Sequence, residues 1–239
     1  MKTPLFFRSF GLLAALLLLL SACRSDYYAV DPYTEVTESF AVTGFDRLEA
    51  GSALRITVRQ GNYFRVLARG DQRDVADLLV VRDGRTLRIG YATPRTRRYE
   101  TRLDIVVPYL RSVAFSGAST SEVLGFYDLD DFDVHLSGAS SLRFVGAADL
   151  LYADAVGASE LYLEGDAYEL SVGLDGASYL DAFSFPVQET IVEASGASRA
   201  LVRTGRTLAV RASGASTVRY RGNPAVQTQL SGGSAVLRD

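Results

Sequence analysis

The sequence has no tryptophan, one cysteine, one histidine and one methionine, and Lys2 is its sole lysine. A single cysteine, Cys23, excludes an intrachain disulfide, so packing and hydrogen bonding must hold the fold together. A single histidine, His135, leaves little for a metal centre or a Ser/His/Asp site. It falls in a polar, outward column of the pattern described below and reads as a surface residue. Gly-Gly-x-Gly-x-Asp calcium repeats are missing, which argues against a calcium β-roll. No metal and no cofactor are expected.

What is present begins with a leader. Lys2 and Arg8 make the start positive, and Phe10 to Leu20 is apolar. That run is too short to span a bilayer, which takes about 20 residues, and it reads as a secretory signal peptide over residues 1–22. Leu20-Ser21-Ala22-Cys23 resembles the lipobox of bacterial lipoproteins. The resemblance implies that Cys23 is lipidated and becomes the new N-terminus. Two or three acyl chains, palmitate among them, would anchor the chain at about 0.8 kcal/mol per buried methylene. The residue after the cysteine is Arg24 and not the aspartate that marks inner-membrane retention, so the outer membrane of the cell envelope is expected. Without Lys2 and Arg8 the remainder has 23 basic against 28 acidic residues, a formal charge of −5, and no nucleic-acid partner is expected. Residues 23–37 read as a polar tether.

From residue 38 the pattern is β. Leu54 to Val58 alternates apolar and polar, Gln60-Gly61-Asn62 reads as a turn, and Phe64 to Ala68 as a second strand. Val80-Val81 and Leu87 to Ile89 flank Asp83-Gly84, a hairpin signal. Asp71 to Leu79 is the one place for a short helical turn, and Leu103 to Val107 ends at Pro108.

A repeat dominates residues 111–239. Ser116-Gly117-Ala118-Ser119 recurs, with small variations, around Gly138, Gly157, Gly176, Gly196, Gly214 and Gly232, at spacings of 21, 19, 19, 20, 18 and 18. A period near 20 with one constant element signals a solenoid. Positions four and two before each glycine, and four after it, are nearly all apolar; Val134, Leu136 and Leu142 are one such set. Positions three before and five after are mostly polar, so the alternation has period two on both sides of the motif and the glycine marks a corner. Gly125, Gly146, Gly165, Gly205 and Gly222 suggest a second corner, giving two or three short strands per coil. The expected fold is all-β, a single-stranded parallel β-helix of 18–21-residue coils. The drifting period favours a right-handed one over the hexapeptide rhythm of left-handed helices. The motif serine either satisfies corner backbone groups or forms a ligand-binding stripe.

Phe40 to Gly51, Ile56 to Gly61, Leu87 to Gly90, Val106 to Leu110 and Ser116 to Ser119, in that order, resemble the "putative autotransporter adhesin, head GIN domain" family. The resemblance covers roughly residues 38–239, with 38–110 as less regular N-terminal coils. It implies an exported, often lipid-anchored protein with a right-handed β-helical fold, and it brings no catalytic residues.

Candidate surface residues are Arg95, Arg97 and Arg98, which with Arg102 around Tyr99 form the densest basic run and suit anionic lipid or glycan. Tyr162 and Tyr179 face outward on adjacent coils and suit a sugar. Asp128, Asp130, Asp131 and Asp133, with Asp149 one coil on, form the densest acidic group, placed in a turn region. A paired carboxylate there would serve a polysaccharide-active enzyme. Glu122 with Arg143, and Glu193 with Arg211, should pair between coils. The leading expectation is a non-enzymatic, lipid-anchored β-solenoid for adhesion or envelope interaction. Its partners would be the membrane, through the lipid, and a glycan or envelope or host-surface component. The alternatives are a polysaccharide-active enzyme and a self-associating structural protein, a homo-oligomer.

Overall fold

Alternation of buried with more exposed side chains runs along most rungs and makes them strands. The computed structural model describes residues 33–239; the leader, Cys23 and most of the tether lie outside the described residues. Five long strands carry the repeats: β9 (Thr120–Leu136), β10 (Ser141–Gly157), β11 (Glu160–Gly176), β12 (Tyr179–Ala194) and β13 (Arg199–Ala212). Each pairs in parallel with the next, so the chain forms a β-solenoid of stacked coils. β14 (Thr217–Arg221) and β15 (Ala225–Leu230) stack on the two halves of β13, and β16 (Ala235–Arg238) on β14.

The register places like residues over like. Leu142, Leu161, Leu180, Ala200 and Val218 form one ladder, and each is fully buried. Val134, Ala153, Val172, Val192 and Val210 form another, likewise buried. Phe132, Phe144 and Phe185 fill the wider part of the interior, the first two stacked at 4.9 Å. Ser121 is the exception in its column. It is buried between Ile56 and Leu142 in register, and among the described residues its hydroxyl has no hydrogen-bond partner.

Each middle coil is one strand of 14 to 17 residues instead of two or three short ones. Near the second glycine β10 and β11 stay in register, while β9 against β10 shifts around Gly146 and β12 against β13 skips residues between Ala182 and Pro186. Gly146 pairs directly with Gly165, and a Cβ on Gly165 would strike the carbonyl oxygen of Gly146. Close backbone approach, not interruption of pairing, is what glycine permits there.

The first corner is built differently. All seven motif glycines have φ between 70° and 89°. The amide of the following residue donates to the carbonyl of the glycine one coil below, at 2.7 Å in every case from Ala139 on Gly117 to Gly233 on Gly214. At Gly157 a Cβ would sit 2.6 Å from that lower carbonyl oxygen. The motif serine turns inward and its hydroxyl donates to the carbonyl three residues back, as in Ser159 to Val156 at 2.9 Å and Ser178 to Asp175 at 2.7 Å. Six of the seven serines are buried, so a ligand-binding stripe has no accessible hydroxyl there and the capping role holds.

The N-terminal portion adds β1 (Glu35–Phe40), β2 (Arg47–Ala50), β3 (Arg55–Gln60), β4 (Arg65–Asp71), the helical turn α1 (Gln72–Val75), β5 (Leu78–Asp83), β6 (Thr86–Tyr91), β7 (Arg102–Val107) and β8 (Ser112–Phe115). The Asp83-Gly84 hairpin forms, joining β5 and β6 antiparallel. The turn after β3 does not make a hairpin. β7 lies between β3 and β4, parallel to the first and antiparallel to the second. Residues 35–37 belong to β1, paired with β4, and not to a tether. Both faces of β1 are largely exposed, which erases the apolar alternation that would reveal a strand.

Two stability series follow. Leu161→Asp should destabilise by about 4 kcal/mol or more, because it buries an unpaired charge. Gly157→Val should cost more than about 2 kcal/mol through φ and the clash below, and Tyr162→Ala about 1 kcal/mol through its lost contact with the Tyr179 ring. Denaturant melts should rank them in that order. Ser121→Ala should raise stability by about 1 kcal/mol, since it removes a buried hydroxyl without a partner.

Candidate functional site

The outward residues three before each motif glycine form one unbroken column. Arg88, Glu49, Ala114, His135, Asp154, Gly173, Glu193, Arg211 and Gln229 lie side by side on successive strands from β6 to β15. Beside them run the residues one before each glycine, mostly hydroxyls: Ser116, Ser137, Val156, Asp175, Ser195, Ser213 and Ser231. Together they line two adjoining hollows of 970 and 610 Å³ that share Asp154 and Val156. The result is a shallow trough along the outer face of the sheet. The edge strand β5 closes one end with the exposed Leu79 and Val81.

Polar groups in the trough stand in blocks. Arg88 pairs with Glu49 at 2.9 Å and Arg211 with Glu193 at 2.8 Å, and the His135 ring lies 3.6 Å from the Asp154 carboxylate. Ala114 and Gly173 separate the blocks and leave the column low between them. Tyr152 donates to Asp154 at 2.7 Å and meets the His135 ring edge-on. Asp175 accepts from the Ser195 hydroxyl, and this contact, with the Gly176 amide, holds its carboxyl below the usual range. A carboxylate held ionised is a poor general acid. The arrangement suits an extended ligand lying across several rungs: hydroxyls and ion pairs offer hydrogen bonds along its length, and apolar side chains such as Leu79, Val81, Val156 and Leu230 offer apolar contact beside them.

The sequence-predicted candidates lie elsewhere. Tyr162 and Tyr179 do stand on adjacent coils, 5.8 Å apart, but edge to face at 65°, and their hydroxyls turn to Glu160 and Asp181. Burial, then the Glu160 contact, pushes the Tyr162 phenol up to about 12. They pack on one another more than they offer a flat platform. Arg95 and Arg97 do not form a free basic surface. Arg95 binds Asp74 at 2.7 Å; Arg97 is largely buried, paired with Asp77 and stacked 3.4 Å over the Tyr91 ring. Those carboxylates lie some 20 residues upstream, on and just after α1, so the sequence shows the cations as a run but not their partners. Arg98 is exposed.

Asp128, Asp130, Asp131 and Asp133 are exposed along β9 and line neither hollow; they are strand residues, not a turn. Among the described residues no group of three or more His, Cys, Asp or Glu is placed to hold a metal ion. Glu122 and Arg143 pair at 3.7 Å, with Glu164 closer to the same arginine at 2.8 Å. The trough itself was missed from the sequence. Its signal was in plain view, as the recurring serine before each glycine and the polar column two residues further back, but periodicity alone does not say which polar face is concave.

A profile of the family described as "Putative auto-transporter adhesin, head GIN domain" matches residues 44–224. Three solved structures share the fold. A protein named a putative adhesin from Bacteroides fragilis is 16% identical, with a TM-score of 0.76 over 86% of this chain and 96% of that one. A putative adhesin from Parabacteroides distasonis is 15% identical, with a TM-score of 0.72 over 87% and 98%. A protein from the same species named a putative lipid binding protein is 13% identical, with a TM-score of 0.71 over 86% and 96%. At such identities the likeness is one of fold. A search of curated proteins finds no match.

One titration is readable beside the arginine cluster. Asp71 caps α1, and the Arg73 guanidinium, helped by the Arg73 and Thr34 amides, holds its carboxyl down to about 2 against the opposing effect of burial. A folded-state value below the unfolded one contributes stability that is complete above about pH 4 and lost as pH falls through 2. Asp71→Asn should therefore lower the melting temperature at pH 7, and the gap to wild type should close between pH 4 and 2 in thermal melts.

Proposed function

The chain belongs to the family described as "Putative auto-transporter adhesin, head GIN domain", and on that premise we propose that it is a lipid-anchored protein of the bacterial cell envelope that binds a surface component along the trough and catalyses no reaction. The observation that carries the reading is the trough, whose outward column runs over nine paired strands and is polar on all of them but those of Ala114 and Gly173. Rungs about 4.8 Å apart suit a polymer with many weak, repeated contacts, a glycan of the envelope or of a host surface. Its carboxylates have partners: Glu49 with Arg88, Asp154 with Tyr152, Glu193 with Arg211, and Asp175 with Ser195. That supports binding over the acid–base chemistry of a polysaccharide-active enzyme.

Anchoring rests on Cys23 and its lipobox-like context. The expected site is the outer membrane, with the acyl chains as the membrane partner.

Glycan arrays and pull-downs with envelope and host-matrix fractions test the binding reading. The doubly substituted His135→Ala/Asp154→Ala chain should lose at least tenfold in binding with an unchanged melting temperature, while Tyr162→Ala keeps it. Binding that ignores the trough variant, or no binding to any fraction, would refute the assignment. Release of shortened glycan products would favour the enzyme. Separately, Cys23→Ser should abolish acyl labelling and the outer-membrane fraction.

A further inference from the structure

Charge is sorted along the stack. Residues 34–119, which form β1 to β8, carry 14 arginines against 10 acidic residues; residues 120–239, which form β9 to β16, carry 8 against 16. β3 and β8 lie against β9 and the other early strands lie beyond them, so the two stretches occupy opposite ends of the solenoid. Their formal charges are +4 and −8.

The count understates the contrast. Three acidic residues of the first stretch, Asp46, Asp71 and Asp74, are buried beneath arginines. Arg47, Arg65, Arg82 and Arg98 are exposed and have no carboxylate partner among the described residues. The densest group stands at the turn of the β5–β6 hairpin. The Arg85 carbonyl accepts from the Asp46 and Arg47 amides at 3.0 and 3.1 Å, and the Arg111 amide donates to the Asp46 carbonyl at 2.7 Å. Arg85 and Arg111 both reach the Asp46 carboxylate, so three arginines meet around one buried acid. Arg82 joins them from the same hairpin, its guanidinium donating to the Gly84 carbonyl at 2.6 Å. Asp83, the exposed acid there, turns to Arg88. From β9 onward the balance reverses: Asp128, Asp130, Asp131 and Asp133 are exposed and have no arginine partner among the described residues.

The cations are all arginines, whose planar forks match the oxygens of a phosphate in pairs. A surface of anionic phospholipid headgroups is the partner such an end fits. It attracts the early strands and repels the repeats, over a screening length of about 8–10 Å. The chain also enters the solenoid at this end. Cys23 lies 12 residues upstream of Glu35, where β1 begins, a reach of about 40 Å at full extension.

We infer that the end of the solenoid built from β1 and β5 rests on anionic phospholipid headgroups, with the acidic coils directed away from the bilayer. The inference rests on the anchoring reading, since an acylated Cys23 is what brings the bilayer within reach. An acyl chain on a tether fixes no orientation; the opposite charges of the two ends do, and they run the trough outward from the membrane.

The test takes the full chain as the cell processes it, on vesicles of phosphatidylcholine alone or with about one third phosphatidylglycerol. Phenylglyoxal footprinting reads each arginine by mass spectrometry. Arg47, Arg65 and Arg82 should react at least threefold more slowly on the anionic vesicles than on the neutral ones, and the difference should vanish in molar salt. Arg199 and Arg203, exposed on β13, should react alike on both. In Arg47→Ser/Arg82→Ser, which breaks no ion pair, the protection of Arg65 should fall at least by half. Equal rates on the two vesicles, protection centred on Arg199 and Arg203, undiminished protection in the double variant, or stronger protection by soluble polygalacturonate than by vesicles would each overturn the inference. The mass of the N-terminal peptide in the same sample reports acylation separately: an unmodified Cys23 refutes the anchoring reading and leaves the footprint to decide this one.

Discussion

A single amide–carbonyl contact, repeated from coil to coil, sets the geometry of everything else. The residue after each motif glycine donates its N–H to the glycine carbonyl directly below, at 2.7 Å each time. The contact requires the glycine backbone to be left-handed and bare, because a side chain at Gly157 would occupy the space of the carbonyl it stacks on. The serine two residues on then closes the corner from within by bonding the carbonyl three residues back. Corners fixed in this way leave each coil no freedom to slip along its neighbour. A slip of one residue would turn the apolar columns out to solvent.

That fixed register has two consequences on opposite faces of the same strands. Inward, leucines and valines stack on leucines and valines, and through the repeats the core forms mainly between neighbouring coils, while β9 rests on β3 from far upstream. Outward, the same parity lines up Glu49, His135, Asp154, Glu193 and Arg211 as one column. The trough is a by-product of corner geometry, and its chemistry is free to vary because nothing in the core depends on it. Gly173 shows the packing within that column: it stands between Asp154 and Glu193, and the Asp154 carboxylate lies over it, so that a Cβ there would sit 2.5 Å from Oδ1.

The periodic half of the molecule was legible because each coil repeats the same physics at a near-constant interval. The glycine corners, the inward columns and the Glu122–Arg143 and Glu193–Arg211 pairs all follow from counting. Where a contact depends on chain crossing, counting fails. β7 inserts between β3 and β4, so neighbours in sequence are not neighbours in the sheet. Asp74 and Asp77 reach Arg95 and Arg97 across an intervening hairpin and turn an apparent basic patch into ion pairs. β1 escaped because an edge strand exposed on both faces has no apolar stripe to betray it. The concavity that makes the trough depends on sheet curvature, which no residue pattern encodes directly.

Amide hydrogen exchange at the corners tests the central claim most directly. If the glycine ladder holds the solenoid, the amides of Ala139, Ala158, Ala177, Ala197 and Ala215 should be protected as strongly as the inward strand amides beside them, and should open only with whole coils. Corner amides that exchange at the rate of exposed loops, while the flanking strands stay protected, would contradict it.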